Sequence, residues 1–340
     1  MGFFRKPYRF GILYGTALCA AFAFALLDTF VIPKSLAAVP DKSPAASAPP
    51  SSAVDSSAAP TQPAAESGSA SESSSESSSA SVPSSNPAAS EESSAPAAGT
   101  YTATSYTDEN LSITITEWRA YDTTIYAVDI VLSDVSQLKT AFANNTYGRN
   151  IKQTTSAMAA AHDAILAING DYYGFRNAGY VLRNGVLYRS SVSGSEDLAV
   201  MADGTFRIIE ESQVSADALA EEGAVQIFSF GPALVDDGAI QVDLDTEVER
   251  AKASNPRTAI GMIAPLHYVF LVSDGRTDES EGLTLYQLAS VFQELGCTVA
   301  YNLDGGGSST LWFNGRIINT PTDGIKNGER KVSDIVYIGY

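Results

Sequence analysis

Residues Asn302 to Thr310 place one carboxylate, three glycines and three hydroxyl side chains in a row, in the order Asn-Leu-Asp-Gly-Gly-Gly-Ser-Ser-Thr. Consecutive glycines let the backbone adopt positive φ angles and let a ligand come close to main-chain N–H groups. Such a turn can form a concave nest of N–H donors that binds an anion. With Asp304 at its edge, the stretch predicts a site for acid–base chemistry on an anionic ligand. A flexible turn between two strands is the alternative.

Two more aspartates stand beside glycine after apolar segments. Asp171 ends the triplet Asn-Gly-Asp, and Asp274 begins the triplet Asp-Gly-Arg. Glycosidic cleavage needs two carboxylates, because one protonates the leaving oxygen and the other activates water or attacks the sugar carbon. We predict Asp304 and Asp171 as this catalytic pair and keep Asp274 as a third candidate. An aspartate before glycine is otherwise commonly a turn residue.

Arginines offer the groups that would bind an anion. Arg257 follows a proline that stiffens the approach to a strand, Arg276 ends the second triplet, and Arg330 lies just before the last predicted strand. A guanidinium group binds phosphate with two parallel hydrogen bonds, which suits a phosphodiester substrate. A lone Arg in an acidic domain is more often part of a surface ion pair. The predicted substrate-binding residues are Arg257, Arg276, Arg330, Asn169, Asn302, Gly305, Gly306, Gly307 and Ser308.

Other familiar chemistries fit the sequence poorly. It has neither the Gly-x-x-x-x-Gly-Lys-Ser/Thr phosphate-binding loop nor the Gly-x-Ser-x-Gly nucleophile elbow. With only two histidines, zinc chemistry or a Ser-His-Asp triad would depend on one of them. We therefore predict no metal and no cofactor. The acidic residues between Asp274 and Glu281 could hold Ca²⁺ through oxygen ligands, but a solvated loop is the preferred interpretation.

The elements that position these residues follow from hydrophobic periodicity and turn signals. Alternating apolar residues predict strands at Leu111–Trp118 and Ile125–Leu132. A small-residue helix over Thr154–His162 leads into a buried strand at Ala164–Ile168. Hairpins follow, with turns predicted at Asn184-Gly185, Asp203-Gly204, Asp237-Gly238 and Asn314-Gly315.

The C-terminal third contains a predicted β-α-β unit. Strands at His267–Val272 and Thr298–Leu303 flank an amphipathic helix at Thr284–Leu295. Such a unit favours parallel strands with a right-handed crossover, and ligands of parallel sheets bind outside the carboxyl ends of the strands. Two of the three aspartates follow these ends. If the strand before Asp171 shares the edge, the three define one acidic, glycine-lined cleft. The predicted fold class is α+β, a mixed, mainly β domain.

Composition divides the chain into residues 1–36, 37–99 and 100–340. Basic residues precede an apolar run from Gly11 to Ile32, which reaches the roughly 20 residues needed to cross a bilayer. We predict a single-pass membrane anchor with its basic end in the cytoplasm, and a cleaved signal peptide is the alternative. The middle part is almost entirely Ser, Ala, Pro and Glu, which predicts a disordered linker.

The net charge of residues 100–340 limits the classes of partner that this part of the chain is expected to bind. Residues 100–340 hold 16 Lys and Arg side chains against 31 Asp and Glu side chains, a net charge of −15. This charge argues against nucleic acid or anionic lipid as the main partner of the domain. Cys297 is the only cysteine there. We predict that it is a buried apolar residue, and no disulfide framework is expected.

The order and spacing of these motifs resemble the phosphodiester glycosidase family over roughly residues 154–338. Only the glycine-rich motif is specific when taken alone. The matching motifs are Asn169-Gly170-Asp171-Tyr172-Tyr173, Asn255-Pro256-Arg257-Thr258-Ala259-Ile260-Gly261, Ser273-Asp274-Gly275-Arg276, Gly282-Leu283-Thr284-Leu285, Asn302 to Thr310, and Glu329-Arg330-Lys331-Val332. The resemblance implies hydrolysis of a phosphate–glycosyl linkage. The anchor and linker are similar to those of a Gram-positive surface protein, which implies a cell-wall polymer as substrate.

The sequence thus predicts an extracellular hydrolase that cleaves a sugar-1-phosphodiester in a cell-surface or wall polymer. One alternative is a non-catalytic module that binds an anionic wall polysaccharide, although three carboxylates would repel such a polymer. Another is a metal-dependent phosphodiesterase that cuts the P–O bond. A carboxylate separation of about 5–5.5 Å would indicate a retaining mechanism, and about 6.5–9.5 Å an inverting one.

Overall fold

The computed structural model describes residues 7–38, 99–246, 254–323 and 326–340. Apart from its first two residues and its last, the predicted linker lies outside the described residues. The helices are α1 (Pro7–Phe30), α2 (Thr155–Ala161), α3 (Ala216–Glu221) and α4 (Leu285–Glu294). The strands are β1 (Lys34–Ser35), β2 (Thr100–Tyr101), β3 (Ser105–Thr107), β4 (Leu111–Ala120), β5 (Thr123–Leu132), β6 (Leu138–Phe142), β7 (Gly148–Arg149), β8 (Gln153–Thr154), β9 (Leu166–Asn169), β10 (Val181–Arg183), β11 (Val186–Arg189), β12 (Glu196–Met201), β13 (Phe206–Glu210), β14 (Ala224–Phe228), β15 (Ala233–Asp236), β16 (Ala239–Ile240), β17 (Arg257–Ala264), β18 (His267–Ser273), β19 (Val299–Asn302), β20 (Leu311–Phe313), β21 (Arg316–Ile317), β22 (Thr322–Asp323), β23 (Lys326–Asn327), β24 (Lys331–Val332) and β25 (Asp334–Ile338).

The largest sheet has nine strands in the order β16-β15-β19-β17-β18-β5-β4-β3-β2. Helix α4 follows β18 and leads into β19, as predicted, and the Thr284 side chain caps its first turn. Strand β17 lies between β18 and β19 and pairs antiparallel with both. The two strands of the predicted β-α-β unit therefore run parallel without being neighbours. Their carboxyl ends meet at one edge of the sheet, as the sequence predicted.

A second sheet of five strands has the order β21-β20-β9-β25-β6. It contains β9, the strand that leads to Asp171. The strand before Asp171 therefore does not belong to the sheet of the other two, and the condition for one cleft along a single sheet edge is not met. Strand β9 pairs with β20 and β25, and alternation within one strand does not reveal its partners. Apolar residues of both sheets share one core, in which Ile168 and Leu311 join Phe270 and Tyr301.

A third sheet of five strands, ordered β11-β10-β14-β12-β13, packs with helix α3. The four predicted hairpin turns are confirmed, because each joins two paired strands. Tight two-residue turns of this kind require positive φ angles. The first turn shows them at Asn184 (49°) and Gly185 (78°), and Asn314 and Gly315 follow the same pattern with 45° and 82°.

Helix α1 covers most of the apolar run near the N-terminus. In the part of the chain that the structure describes, no helix combines the length and the apolar character needed to cross a membrane. The predicted transmembrane anchor is therefore not confirmed. After this helix, strand β1 pairs antiparallel with β7, and the Leu36 N–H donates to the Tyr147 carbonyl.

Cys297 lies in the apolar cluster between helix α4 and the nine-stranded sheet, where only 2% of it is exposed. Burial raises the pKa of its thiol to about 12. A thiol that stays protonated and inaccessible is a packing residue and no nucleophile. The prediction of a buried apolar cysteine is confirmed.

Candidate active site

A pocket of about 240 Å³ brings Asp171 and Asp304 together. Strand β9 of one sheet and strand β19 of the other end beside it. Its lining residues are Lys152, Asp171, Tyr172, Phe175, Asp304, Ser308, Arg330, Lys331, Val332 and Ser333. The pocket therefore combines two carboxylates, three cationic side chains and two aromatic rings.

The side chain of Asn169 ties the two strand ends together. Its Nδ2 donates to the Asp304 carbonyl at 2.6 Å, and its Oδ1 accepts from Thr258 Oγ1 at 2.9 Å and from the Thr310 N–H at 3.2 Å. The residue is fully buried. Asn169, predicted to contact substrate, instead fixes the distance between the loops that carry the two aspartates.

Asp304 is a carboxyl of the pocket whose surroundings shift its pKa towards neutral pH. Burial raises its pKa to about 6, and the Ser308 hydroxyl, the Arg330 guanidinium and the Gly305 N–H limit that rise. The negative charge of Asp171 also raises the pKa, which shows that the two carboxylates interact. General acid–base groups work best when their pKa lies near the working pH.

Asp171 is held in one orientation by three hydrogen bonds. Its Oδ1 accepts from the Tyr173 N–H at 3.0 Å, and its Oδ2 accepts from Arg183 Nη2 at 2.8 Å and from the Ser229 N–H at 3.1 Å. Only 2% of the residue is exposed. These bonds leave Asp171 little freedom to turn, so it presents a fixed charge to the pocket.

Arg183 joins Asp171 to a further buried carboxylate, Asp334. Its Nε and Nη2 donate to Asp334 Oδ2 at 3.1 and 2.9 Å. Burial and the charge of Asp171 raise the pKa of Asp334, and the charge and hydrogen bonds of Arg183 oppose this rise. Sequence reasoning missed both residues. The available signal was a charged residue next to apolar strand residues, because charged side chains are almost never fully buried unless they are paired.

Arg276 and Arg330, two of the predicted substrate-binding residues, reach the glycine loop. A Cβ atom at Gly306 would lie 2.8 Å from Arg276 Nη2, and one at Gly307 would lie 2.6 Å from Arg330 Nη2. Burial lowers the pKa of Arg276, and the positive charge of Arg330 lowers it further. The two guanidinium groups are therefore close together. The Asp323 carboxylate, whose Oδ1 accepts from Arg330 Nε at 2.9 Å, offsets part of this repulsion, and an anionic ligand would offset more of it.

Two N–H groups of the glycine loop, one of them from the predicted nest, are bound to backbone carbonyls. The Gly306 N–H donates to the Pro256 carbonyl at 2.8 Å, and the Ser308 N–H donates to the Gly305 carbonyl at 3.2 Å. These two N–H groups are engaged within the protein and are not available to an anion. The glycines contribute space for the arginine side chains, and the Ser308 hydroxyl faces the pocket beside Asp304.

Of the predicted residues, Asp171, Asp304, Ser308 and Arg330 line this pocket; Asp274, Asn302 and Arg257 are among those that do not. Asp274 is buried, accepts from the Thr320 N–H at 2.7 Å and from the Tyr126 hydroxyl at 3.3 Å, and so holds the segment after β21. Asn302 is buried and donates to the Gly231 carbonyl at 2.8 Å. Arg257 is buried below the loop, where its Nε donates to the Leu283 carbonyl at 2.9 Å. All three are buried residues that bind neighbouring segments of the chain.

The sequence did not single out the aromatic wall of the pocket. The rings of Tyr172 and Phe175 stack with their centres 4.5 Å apart and their planes 17° apart. Lys152 Nζ lies 5.3 Å from the centre of the Phe175 ring. Aromatic rings with a polar edge suit the apolar face of a sugar and its hydroxyl groups. The Tyr172-Tyr173 pair beside Asp171 was the available signal.

Among the residues that the structure describes, no group of three or more His, Cys, Asp or Glu side chains is placed to hold a metal ion. The acidic stretch from Asp274 to Glu281, considered as a Ca²⁺ ligand set, forms no such group. Asp274 turns inward to Tyr126 and the Thr320 N–H.

The part of the chain that carries this pocket matches a known protein family. The family model described as phosphodiester glycosidase matches residues 162–339, which is just over half of the chain and includes both aspartates of the pocket. The chain belongs to the phosphodiester glycosidase family.

Two relatives of known sequence illustrate the membership. The SPbeta prophage-derived uncharacterized protein YomE of Bacillus subtilis is 35% identical over 202 residues, 57% of this chain and 31% of the relative. Human N-acetylglucosamine-1-phosphodiester alpha-N-acetylglucosaminidase is 28% identical over 210 residues, 55% of this chain and 40% of the relative. The chain thus spans less than half the length of these two relatives.

Solved structures agree with the family at the level of the fold. The zebrafish N-acetylglucosamine-1-phosphodiester alpha-N-acetylglucosaminidase catalytic domain aligns with a TM-score of 0.54 and 21% identity, over 68% of this chain and 83% of that one. A hypothetical protein from Synechocystis aligns with a TM-score of 0.50 and 14% identity, over 68% and 62% of the two chains.

Proposed function

We propose that this phosphodiester glycosidase domain hydrolyses the bond between a sugar C1 atom and a phosphate oxygen. The observation that carries the proposal is one pocket in which Asp171 and Asp304 face Arg330, with the Arg276 guanidinium beside it. Carboxylates suit the sugar side of such a linkage, and guanidinium groups suit its phosphate side. The name of the human relative, N-acetylglucosamine-1-phosphodiester alpha-N-acetylglucosaminidase, supports a sugar of that class.

In the proposed reaction, water adds to C1 while the bond from C1 to the phosphate oxygen breaks. The electron pair of that bond stays on the phosphate, which leaves as a monoester between Arg276 and Arg330. The Asp304 carboxylate takes the proton that the attacking water loses. Asp171, fixed by Arg183, places its negative charge near the positive charge that develops at C1. The products are a free sugar and a phosphate monoester.

The leaving group explains why Asp304 is assigned as the base. A phosphate monoester has a second pKa of about 6, so it departs without needing a proton from the enzyme. The two arginines stabilise its charge. The step that needs help is deprotonation of water. Asp304, whose pKa burial raises to about 6, is ionised enough at neutral pH to accept that proton.

We further propose that the substrate lies outside the cell, in a surface or wall polymer. Support comes from the order of a basic N-terminus, an apolar run and a Ser/Ala/Pro-rich segment before the domain. The location and the identity of the polymer are parts of this proposal that rest on sequence alone.

The test uses Asp304→Asn in the full chain with a glycosyl phosphodiester as substrate. We expect release of free sugar to fall by about 10²–10⁴-fold, the usual contribution of a general base, while the melting temperature does not fall. Asp203→Asn, which changes an exposed turn residue, is the control. Full activity of Asp304→Asn would refute the assignment. Binding without turnover in the wild type would favour a binding module, and sugar phosphate as the product would favour cleavage of the P–O bond.

A further inference from the structure

A second and larger cavity, of about 620 Å³, lies beside the catalytic pocket. Arg176, Asn177, Ser193, Ser195, Glu196 and Phe230 contribute to its lining. The proposed reaction uses none of these residues. The cavity therefore needs an explanation of its own.

The two cavities share their walls. Phe175 lines the catalytic pocket and Arg176, the next residue, lines the second cavity; consecutive Cα atoms are only about 3.8 Å apart. The Ser229 N–H holds Asp171, and Phe230, the next residue, lines the second cavity. At these two segments, the residues on the two sides are consecutive in the chain, so the cavities lie close together.

The second cavity has rigid walls. The fully buried Tyr301 hydroxyl accepts from the Phe230 N–H at 2.9 Å and donates to the Glu196 carbonyl at 2.8 Å, so it links two of the walls. The Glu211 carboxylate accepts from Ser193 Oγ at 2.9 Å and from the Gly194 N–H at 2.8 Å. These partly buried hydrogen bonds tie the walls of the cavity to one another.

The lining groups have the chemistry of a phosphate and polyol site. The guanidinium carbon of Arg176 lies 5.0 Å from the centre of the Phe230 ring, which holds this cation in place by a cation–π contact. A guanidinium group in a fixed orientation suits a phosphate. The side chains of Asn177, Ser193 and Glu196 donate to or accept from hydroxyl groups, as a sugar or a polyol requires.

We propose that this cavity binds the next phosphate-linked unit of the substrate, so that the enzyme acts on a chain of repeating sugar or polyol phosphates. This inference rests on the proposed function and specifies its substrate class. Arg176 contacts the phosphate of the neighbouring unit, Phe230 supports Arg176, and the polar side chains around them contact the hydroxyl groups.

The experiment compares two substrates in the full chain. One is the methyl phosphodiester of N-acetylglucosamine 1-phosphate, which fills only the catalytic pocket; the other is an oligomer of at least three sugar-phosphate units. Arg176→Gln removes the cation, and Phe230→Leu keeps apolar bulk while removing the ring. Arg207→Gln, in an exposed pair with Glu222, is the matched control.

We expect both site variants to lower kcat/KM for the oligomer by about tenfold, through KM, the usual scale for one charged hydrogen bond. Both should hydrolyse the methyl diester like the wild type and keep its melting temperature, and the control should change neither substrate. Equal losses on the two substrates, or no loss on the oligomer, would overturn the inference.

If the wild type fails to hydrolyse the methyl diester, the proposed function fails. The second cavity is then tested separately by oligomer binding to Asp304→Asn with and without Arg176→Gln, where an unchanged Kd would overturn it.

Discussion

At the scale of single residues, the pocket contains two aspartates whose carboxylates have different surroundings. Asp171 accepts three hydrogen bonds and is held in place by Arg183. Asp304 interacts with the Ser308 hydroxyl and the Gly305 N–H instead of a buried arginine, and burial raises its pKa to about 6. A carboxylate held in one orientation can stabilise a developing positive charge, whereas a carboxylate with a pKa near the working pH can transfer a proton. This contrast is the basis for assigning proton transfer to Asp304.

The first prediction concerns the pH dependence of catalysis. If Asp304 accepts the proton from water, only its ionised form is active. Because its pKa is about 6, kcat/KM should level off above that pH and fall by about tenfold per pH unit below it. A pH profile on a methyl phosphodiester would measure this acidic limb. A rate that increases as the pH drops below 6 would instead make Asp304 the general acid.

The sequence predicted part of this site and missed the rest for a physical reason. Asp171, Asp304, Arg276 and Arg330 stand beside glycines or before a strand, where local sequence indicates exposure at a turn. Arg183 and its partner carboxylate lie within strands, and their pairing spans 151 residues. No local pattern reveals a contact between strands so distant in the chain.

At the scale of elements, strands β9, β10 and β25 are cross-linked at the site by one ionic cluster. Arg183, on β10, contacts Asp171 just after β9 and Asp334 at the start of β25. All three side chains are at most 2% exposed. A buried charge is tolerated when it is paired, and removal of one partner leaves the others uncompensated.

The second prediction follows from this cluster. Arg183→Met leaves two carboxylates buried without their cation, which should lower the free energy of unfolding by about 3–5 kcal/mol. Adding Asp334→Asn should restore part of it, because only one buried carboxylate then remains. Urea denaturation of both variants measures this. Arg207→Met, in an exposed pair with Glu222, should change stability by less than about 1 kcal/mol. Equal stability of Arg183→Met and the wild type would contradict the account.

The third prediction distinguishes two effects of placing alanine in the glycine loop. One is contact between its Cβ atom and a neighbouring side chain, and the other is backbone strain at a positive φ angle. Gly306 and Gly315 have φ angles of 61° and 82°, but only a Cβ at Gly306 would meet a neighbour, the guanidinium of Arg276. Alanine at either position should cost about 1–2 kcal/mol of stability. Only Gly306→Ala should also raise KM for a phosphodiester, by about fivefold or roughly 1 kcal/mol. Equal KM values for the two variants would show that Arg276 does not contact substrate.

Elements were easier to predict than their arrangement. The hairpins at Asn184-Gly185 and Asn314-Gly315 and the succession β18-α4-β19 depend on neighbouring residues, and the structure confirms them. The insertion of β17 between β18 and β19 and the membership of β9 in a second sheet depend on pairing between distant strands. Alternation along one strand carries information about burial and none about the partner.

At the scale of the whole molecule, an acidic domain is proposed to bind an anionic polymer. Residues 100–340 have a net charge of −15, whereas Lys152, Arg330 and Lys331 line the pocket and Arg276 lies beside it. The cations at the pocket therefore attract the polymer locally, whereas the net negative charge of the whole domain repels it. Screening by salt distinguishes the two, because the Debye length is about 30 Å at 0.01 M, about 10 Å at 0.1 M and about 3 Å at 1 M ionic strength.

The last prediction is a maximum in the salt dependence of activity on a sugar-phosphate oligomer. Between 0.01 and 0.1 M salt, screening removes the long-range repulsion and kcat/KM should rise. Towards 1 M, the contacts of the partly exposed Arg330 (39%) also weaken, and kcat/KM should fall. Lys331→Gln should make the fall at high salt less steep, whereas Lys139→Gln, outside the pocket, should not. A steady fall from 0.01 M upward would mean that the acidic surface does not oppose the approach of the polymer.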